Sequence, residues 1–158
     1  MLKEFEDLPY RSNVSIIIFR DDEFLLVQKP DWEETWWKFP QGGVVDGEDL
    51  ESAALRELRE EIGTDSVNII GISKYVNTYD WPDEVLKTLE YRKYRGQSQK
   101  FVIARYTGDD DELKADEEEI SKIMWFSRED LLDLSKRSIG AFGDYQGMIP
   151  KILSEFNL

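Results

Sequence analysis

Residues 42–63 read GGVVDGEDLESAALRELREEIG. The last eight, RELREEIG, hold three glutamates: Glu57, Glu60 and Glu61. The stretch 49–62 predicts a helix, with Asp49 or a near neighbour as N-cap and Gly63 as the natural C′ residue. A helix advances by 100° per residue. With Glu57 at the origin, Glu60 lies near about −60° and Glu61 near about +40°. Leu55, Leu58 and Ile62 fall at roughly 100–160° on the same wheel. The helix therefore buries one face and gathers three carboxylates on another. Like charges at this spacing cost about 0.2–0.5 kcal/mol per pair. A divalent cation among them offsets that cost, and Arg56 and Arg59 offset part of it without one.

A pair of glutamates alone in an acidic chain reads as a solvated face. The context here is different. Gly42, Gly43 and Gly47 mark a loop that needs unusual backbone angles or close approach. Such a loop before a helix brings backbone amides against phosphates. Glu48 adds a fourth carboxylate just ahead of the helix.

Composition narrows the chemistry. The 158 residues include no histidine and no cysteine. That excludes a Ser-His-Asp triad, a Cys-His pair, histidine-ligated zinc and any disulfide. A metal must then be held by oxygen, which points to magnesium, manganese or calcium. The lack of cysteine also fits a cytoplasmic location. Thirty-four acids against 20 bases leave a net charge of −14. That balance argues against a broad phosphate-backbone footprint, so no DNA partner is expected. No run of 18 apolar residues is present, so no membrane span is expected. The N-terminal MLKEFEDLPYRSN lacks the basic-then-apolar design of a signal peptide. The length fits one domain, 1–158, with a real core.

Along the chain, 14–19 (VSIIIF) and 24–27 (FLLV) predict a hairpin of buried strands around a polar turn. Further strands are predicted at 67–76, 100–106 and near 123–126. A charged stretch at 80–98 and an acidic loop at 109–119 separate them. Ser127 to Asp130 resembles a capping box opening a helix through Leu131, Leu132 and Leu134. A last helix is predicted at 149–156, with Pro150 in its first turn. Trp36, Trp37 and Phe39 precede the glycines, with Trp37 expected on the opposite side from the other two. Strands and helices mix without strict alternation, so the expected class is α/β with a mixed sheet flanked by helices.

The spacing Gly42, five residues, Glu48, seven residues, Arg56-Glu57-Leu58, one residue, Glu60-Glu61, one residue, Gly63 resembles the Nudix hydrolase box. Thr64 departs from the pattern, standing where an aliphatic residue is usual. The segments YRSNVSIIIF (10–19), WWKFPQGG (36–43) and GQSQKFVIARY (96–106) are similar to one branch of that family. The branch contains RNA 5′-pyrophosphohydrolases and asymmetric diadenosine tetraphosphate hydrolases. The resemblance implies the Nudix fold, an α/β/α sandwich around a mixed β-sheet. It implies metal-dependent hydrolysis with Mg2+, for which Mn2+ substitutes. It makes Glu57, Glu60 and Glu61 metal ligands supported by Glu48 and Arg56. The backbone around Gln41, Gly42 and Gly43 would join the metal and phosphate site. A further acid from a later loop falls on Glu119, and the base is either a box glutamate or that loop glutamate.

Arg11, Lys100 and Lys38 are candidates for the phosphates furthest from the metal. Tyr75, Tyr79 and Trp81 are candidates to stack on a base. The sequence favours diadenosine tetraphosphate as the substrate, cleaved to ATP and AMP. An RNA 5′ end is the alternative, and a non-catalytic nucleotide sensor the third reading. The segment 139–158 holds Lys151 as its one base, which favours a small nucleotide over RNA.

Overall fold

The computed structural model describes residues 2–135 and 147–158. Six strands form one mixed sheet: β1 Tyr10–Arg20, β2 Glu23–Gln28, β3 Gln41–Gly43, β4 Val67–Asp80, β5 Gly96–Tyr106 and β6 Lys122–Ser127. The order is β4-β5-β1-β2-β6, with β3 paired to β1. The pair β1–β5 is parallel and the other pairs are antiparallel. Helix α1, Leu50–Ile62, covers one face. Helices α3, Arg128–Ser135, and α4, Ile149–Glu155, cover the other, and a four-residue helix α2 spans Asp83–Leu86.

Strand alternation divides the core. Val14, Ile16 and Ile18 face α1 with Leu58 and Ile62. Ile17 and Phe19 face α3 and α4 with Phe101 and Ile103. The result is an α/β/α sandwich. Local chemistry sets the helix ends. Asp49 accepts the N–H of Ser52 at 2.8 Å, and Gly63 takes the left-handed φ of 78° at the C-terminus. Ser127 Oγ likewise accepts the Asp130 N–H at 3.0 Å.

Several expectations need correction. Trp37 and Phe39 lie in the same core cluster, while Trp36 meets Trp32 edge-on. Residues two apart on extended chain share a side, which the expected split ignored. Gly42 and Gly43 lie not in a loop but in β3, pairing with Val14 and Asn13, and it is close approach that they serve. Thr64 is buried and polar, donating to Glu112 and accepting from the Ser66 N–H. Strands β1, β4 and β5 also run further than their apolar runs. The polar ends YRSN, NTYD and GQSQ are paired strand, in register Asn13–Gln99–Asn77. These polar ends underlie the site.

Candidate active site

Arg56 is the hub of the site. Its Nε and Nη2 each donate to one oxygen of Glu48 at 2.9 Å. Nη2 also donates to the Gly43 carbonyl at 2.8 Å. Nη1 donates to Glu57 Oε1 at 2.7 Å and lies 3.4 Å from Glu60 Oε2. One guanidinium thus ties the glycine strand, the helix entry and two glutamates together through a planar fork that lysine lacks. Hydrogen bonding to Arg56 holds the Glu48 carboxyl below its usual range.

The three helix glutamates are not equivalent. Glu60 is exposed, whereas Glu57 and Glu61 are 7% and 2% exposed. Burial raises the Glu57 carboxyl, against the pull of Arg56. Burial raises Glu61 to about 7, aided by the nearby Glu57 and Glu119. Lys38 Nζ lies 3.6 Å from Glu61 Oε2, and the Gln41 N–H donates to Glu61 Oε1 at 2.7 Å. Lys38 is itself buried, and that burial lowers its ammonium despite the carboxylate.

The glycines are explained by proximity. A Cβ on Gly42 would overlap the Glu57 carboxylate, and one on Gly43 would overlap the Arg11 guanidinium. Behind them runs a chain of buried amides. Asn77 Nδ2 donates to Gln99 Oε1 at 3.1 Å, and Gln99 Nε2 donates to Asn13 at 3.0 Å and to Gln41. This chain fixes Gln41, whose backbone holds Glu61.

A cavity of about 540 Å³ opens here. Glu57, Glu60, Glu61 and Glu119 line it together with Gln41, Gly42 and Gly43. Arg11 and Lys38 also line it, as does Trp81. Lys100 does not. It is exposed and alternates away from Gln97 and Gln99, its neighbours on β5. Tyr75 does not either. It packs on the α3/α4 core and sits by Lys74 in a separate cleft with Pro150. Tyr79 stands behind the lining, its hydroxyl accepting from Gln97 Nε2 at 2.7 Å.

Sequence reading missed Trp32, Tyr91, Lys29, Asn13 and Gln97 in the lining. Asn13 follows Arg11 by two positions on β1, and Gln97 precedes Gln99 by two on β5. Alternation from Arg11 would have found Asn13, had the polar start of β1 been read as strand, whereas alternation from Lys100 leads away from Gln97. Trp32 lies four residues ahead of Trp36, just outside the aromatic residues singled out above. Tyr91 carried no local signal.

The donor set fits a hard divalent cation. It is all oxygen, and two of its carboxylates are buried with their charged forms disfavoured, a state that a cation would reverse. Among the described residues, no three acidic groups stand in metal-holding geometry. Glu57 is paired with Arg56 and Glu61 with Lys38.

The model of the NUDIX domain matches residues 9–143. The chain belongs to the NUDIX family. It is a Nudix hydrolase, an enzyme acting on phosphoanhydride bonds, and hydrolases of this family use divalent metal ions. The RNA pyrophosphohydrolase of Novosphingobium aromaticivorans is 39% identical over 137 residues, covering 82% of this chain and 85% of that one. The RNA pyrophosphohydrolase of Gluconacetobacter diazotrophicus is 34% identical over 159 residues, covering 96% and 95%. Solved Nudix-fold structures share the architecture. The C. elegans Ap4A hydrolase in a binary complex aligns with a TM-score of 0.59 at 22% identity, over 92% of this chain and 95% of that one. The E. coli dihydroneopterin triphosphate pyrophosphohydrolase aligns with a TM-score of 0.63 at 15% identity, over 93% and 99%. At these identities the structural likeness speaks for the fold. Among the described residues, no helix of this Nudix hydrolase is long and apolar enough to cross a membrane.

Proposed function

We propose that this Nudix hydrolase removes pyrophosphate from the 5′-triphosphorylated end of RNA, using Mg2+, with Mn2+ able to substitute. The observation that carries the reading is the extent of likeness to the two RNA pyrophosphohydrolases, 34–39% identity over 82–96% of the chain. This reverses the ranking drawn from charge alone. A net charge of −14 disfavours a long phosphate track, but it does not disfavour a pocket that grips one 5′ end.

The cavity supplies suitable parts. Glu57, Glu60 and Glu61 would hold the metal, with Glu119 facing them, while Arg56 and Glu48 fix their positions. A bound divalent cation neutralises the polyphosphate and acidifies the attacking water. Water adds at a phosphorus, one P–O–P bond breaks, and a carboxylate of this cluster takes the proton. Arg11 and Lys38 meet phosphate oxygens, and a base stacks on an aromatic ring of the lining, Trp81, Trp32 or Tyr91.

A second reading, asymmetric hydrolysis of diadenosine tetraphosphate, draws on two observations. They are the acidic surface and a described C-terminal segment, 147–158, whose one base is Lys151. The test compares kcat/KM for that nucleotide and for triphosphorylated RNAs of increasing length, at matched salt and free magnesium. The expected result is pyrophosphate release from RNA with the higher kcat/KM, abolished by excess chelator. Lengthening the RNA beyond about three nucleotides adds little, because each further phosphate contact would steepen the salt slope by about 0.7 and few cations are placed to supply one. A higher kcat/KM on diadenosine tetraphosphate replaces the first reading with the second.

A further inference from the structure

A lysine beside a metal-binding carboxylate needs an explanation. Lys38 is 6% exposed and Glu61 is 2% exposed, so their 3.6 Å ion pair is shielded from water. Both Glu61 oxygens are engaged, Oε1 by the Gln41 N–H and Oε2 by Lys38. Lys38 is anchored at its backbone, exchanging hydrogen bonds with Val27 at 2.8 and 3.0 Å. Its ammonium is the mobile end of a flexible stem. It also lines the cavity where the polyphosphate is proposed to bind.

We infer that Lys38 is a built-in competitor of the divalent cation at Glu61. In the metal-free enzyme the ammonium neutralises Glu61, which would otherwise be a buried, unpaired charge. A metal ion that binds Glu61 must displace Nζ and meet the repulsion of the displaced charge until an anion takes it. A polyphosphate in the same cavity is such an anion. Metal affinity is therefore held low in the empty enzyme and rises when the substrate arrives, and by linkage substrate affinity rises with metal. The inference rests on the reading of Glu61 as a metal ligand.

The test uses the full chain without substrate and measures Mn2+ binding by electron paramagnetic resonance of the free ion. Lys38→Met, which keeps volume and removes charge, should tighten Mn2+ at least about fivefold, since a like charge within a few ångströms is lost in a poorly screened site. Lys38→Gln is the second variant, and circular dichroism verifies the fold of each. Lys38→Arg, which keeps the charge, should not tighten Mn2+. In a Glu61→Gln background, Lys38→Met should change Mn2+ affinity by less than about twofold, because the contested carboxylate is gone. Unchanged or weaker Mn2+ binding in folded Lys38→Met and Lys38→Gln overturns the inference while leaving Glu61 as a ligand. Equal tightening in both backgrounds also overturns it, since the effect would then be a diffuse field. Absence of Mn2+ binding in the wild type and in folded Lys38→Met and Lys38→Gln alike removes both this inference and the metal assignment.

Discussion

Lys38 Nζ and Glu61 Oε2 lie 3.6 Å apart with both side chains buried, yet burial drives each toward its neutral form. The consequence for stability has a definite sign. Glu61 titrates at about 7 in the folded chain against an ordinary 4.5. Within that window the folded state keeps a proton that the unfolded chain has released. Stability of the metal-free protein therefore falls as pH rises through the window, and the loss is complete above it. Glu61→Gln keeps the acceptor for Gln41 and removes the charge. Thermal melts in chelator should show the variant losing less stability than wild type between pH 5 and pH 8, with about 2–4 °C of midpoint for each kcal/mol regained. Glu57, also raised, leaves some slope behind.

On the proposed function the same carboxylates would carry the reaction. Glu57→Gln and Glu61→Gln should each lower kcat by about two to four orders of magnitude in saturating magnesium, with near-ultraviolet dichroism unchanged. Turnover within about tenfold of wild type for both would make the glutamate face a structural feature only.

Arg56→Lys tests the fork rather than the charge. Lysine cannot serve Glu48, Gly43 and Glu57 at once. Loss of these charge-assisted hydrogen bonds should cost about 1–3 kcal/mol in denaturant melts and lower kcat. Parity with wild type in both measurements would show that positive charge alone suffices at this position.

Gly42→Ala adds one methyl group where the Glu57 carboxylate sits. The carboxylate must move, so Mn2+ binding and turnover should fall together while Gly47→Ala, with nothing near its Cβ, leaves Mn2+ binding intact. Gly47 has a φ of 82°, so its variant should instead lose about 1 kcal/mol of stability.

Cations and aromatics separate by location. Arg11→Ala and Trp32→Ala should raise KM, by roughly fivefold or more for Arg11, where a charge-assisted contact is lost. Lys100→Ala and Tyr75→Phe, outside the cavity, should leave kcat/KM within about twofold. Steady-state kinetics on one triphosphorylated oligonucleotide compares all four, and a large defect in Lys100→Ala would place a phosphate outside this cavity.

Helix α1 was legible because its signals are local. The cap at Asp49, the stop at Gly63 and the apolar period through Leu58 and Ile62 all lie within one segment. The box spacing placed Glu48, Arg56, Glu57, Glu60 and Glu61 on that helix and its entry. The apolar runs of β1, β2, β5 and β6 were legible for the same reason, since their side chains announce burial directly.

The polar halves of β1, β4 and β5 announce nothing of the kind. Asn13, Asn77, Gln97 and Gln99 look like loop residues until strands far apart in sequence are paired. Their amides are buried only because each finds its partner across the sheet. The sequence by itself determined the helix, its row of carboxylates and, in a chain without histidine or cysteine, that any metal held by side chains would be held through oxygen or another hard donor. Tertiary structure alone decided that Lys38 and Gln41 would meet Glu61, that Trp32 and Tyr91 would join the cavity, and that Lys100 and Tyr75 would not. Those outcomes depend on strand register and on which face each side chain takes, and both are set by hydrogen bonds between residues tens of positions apart.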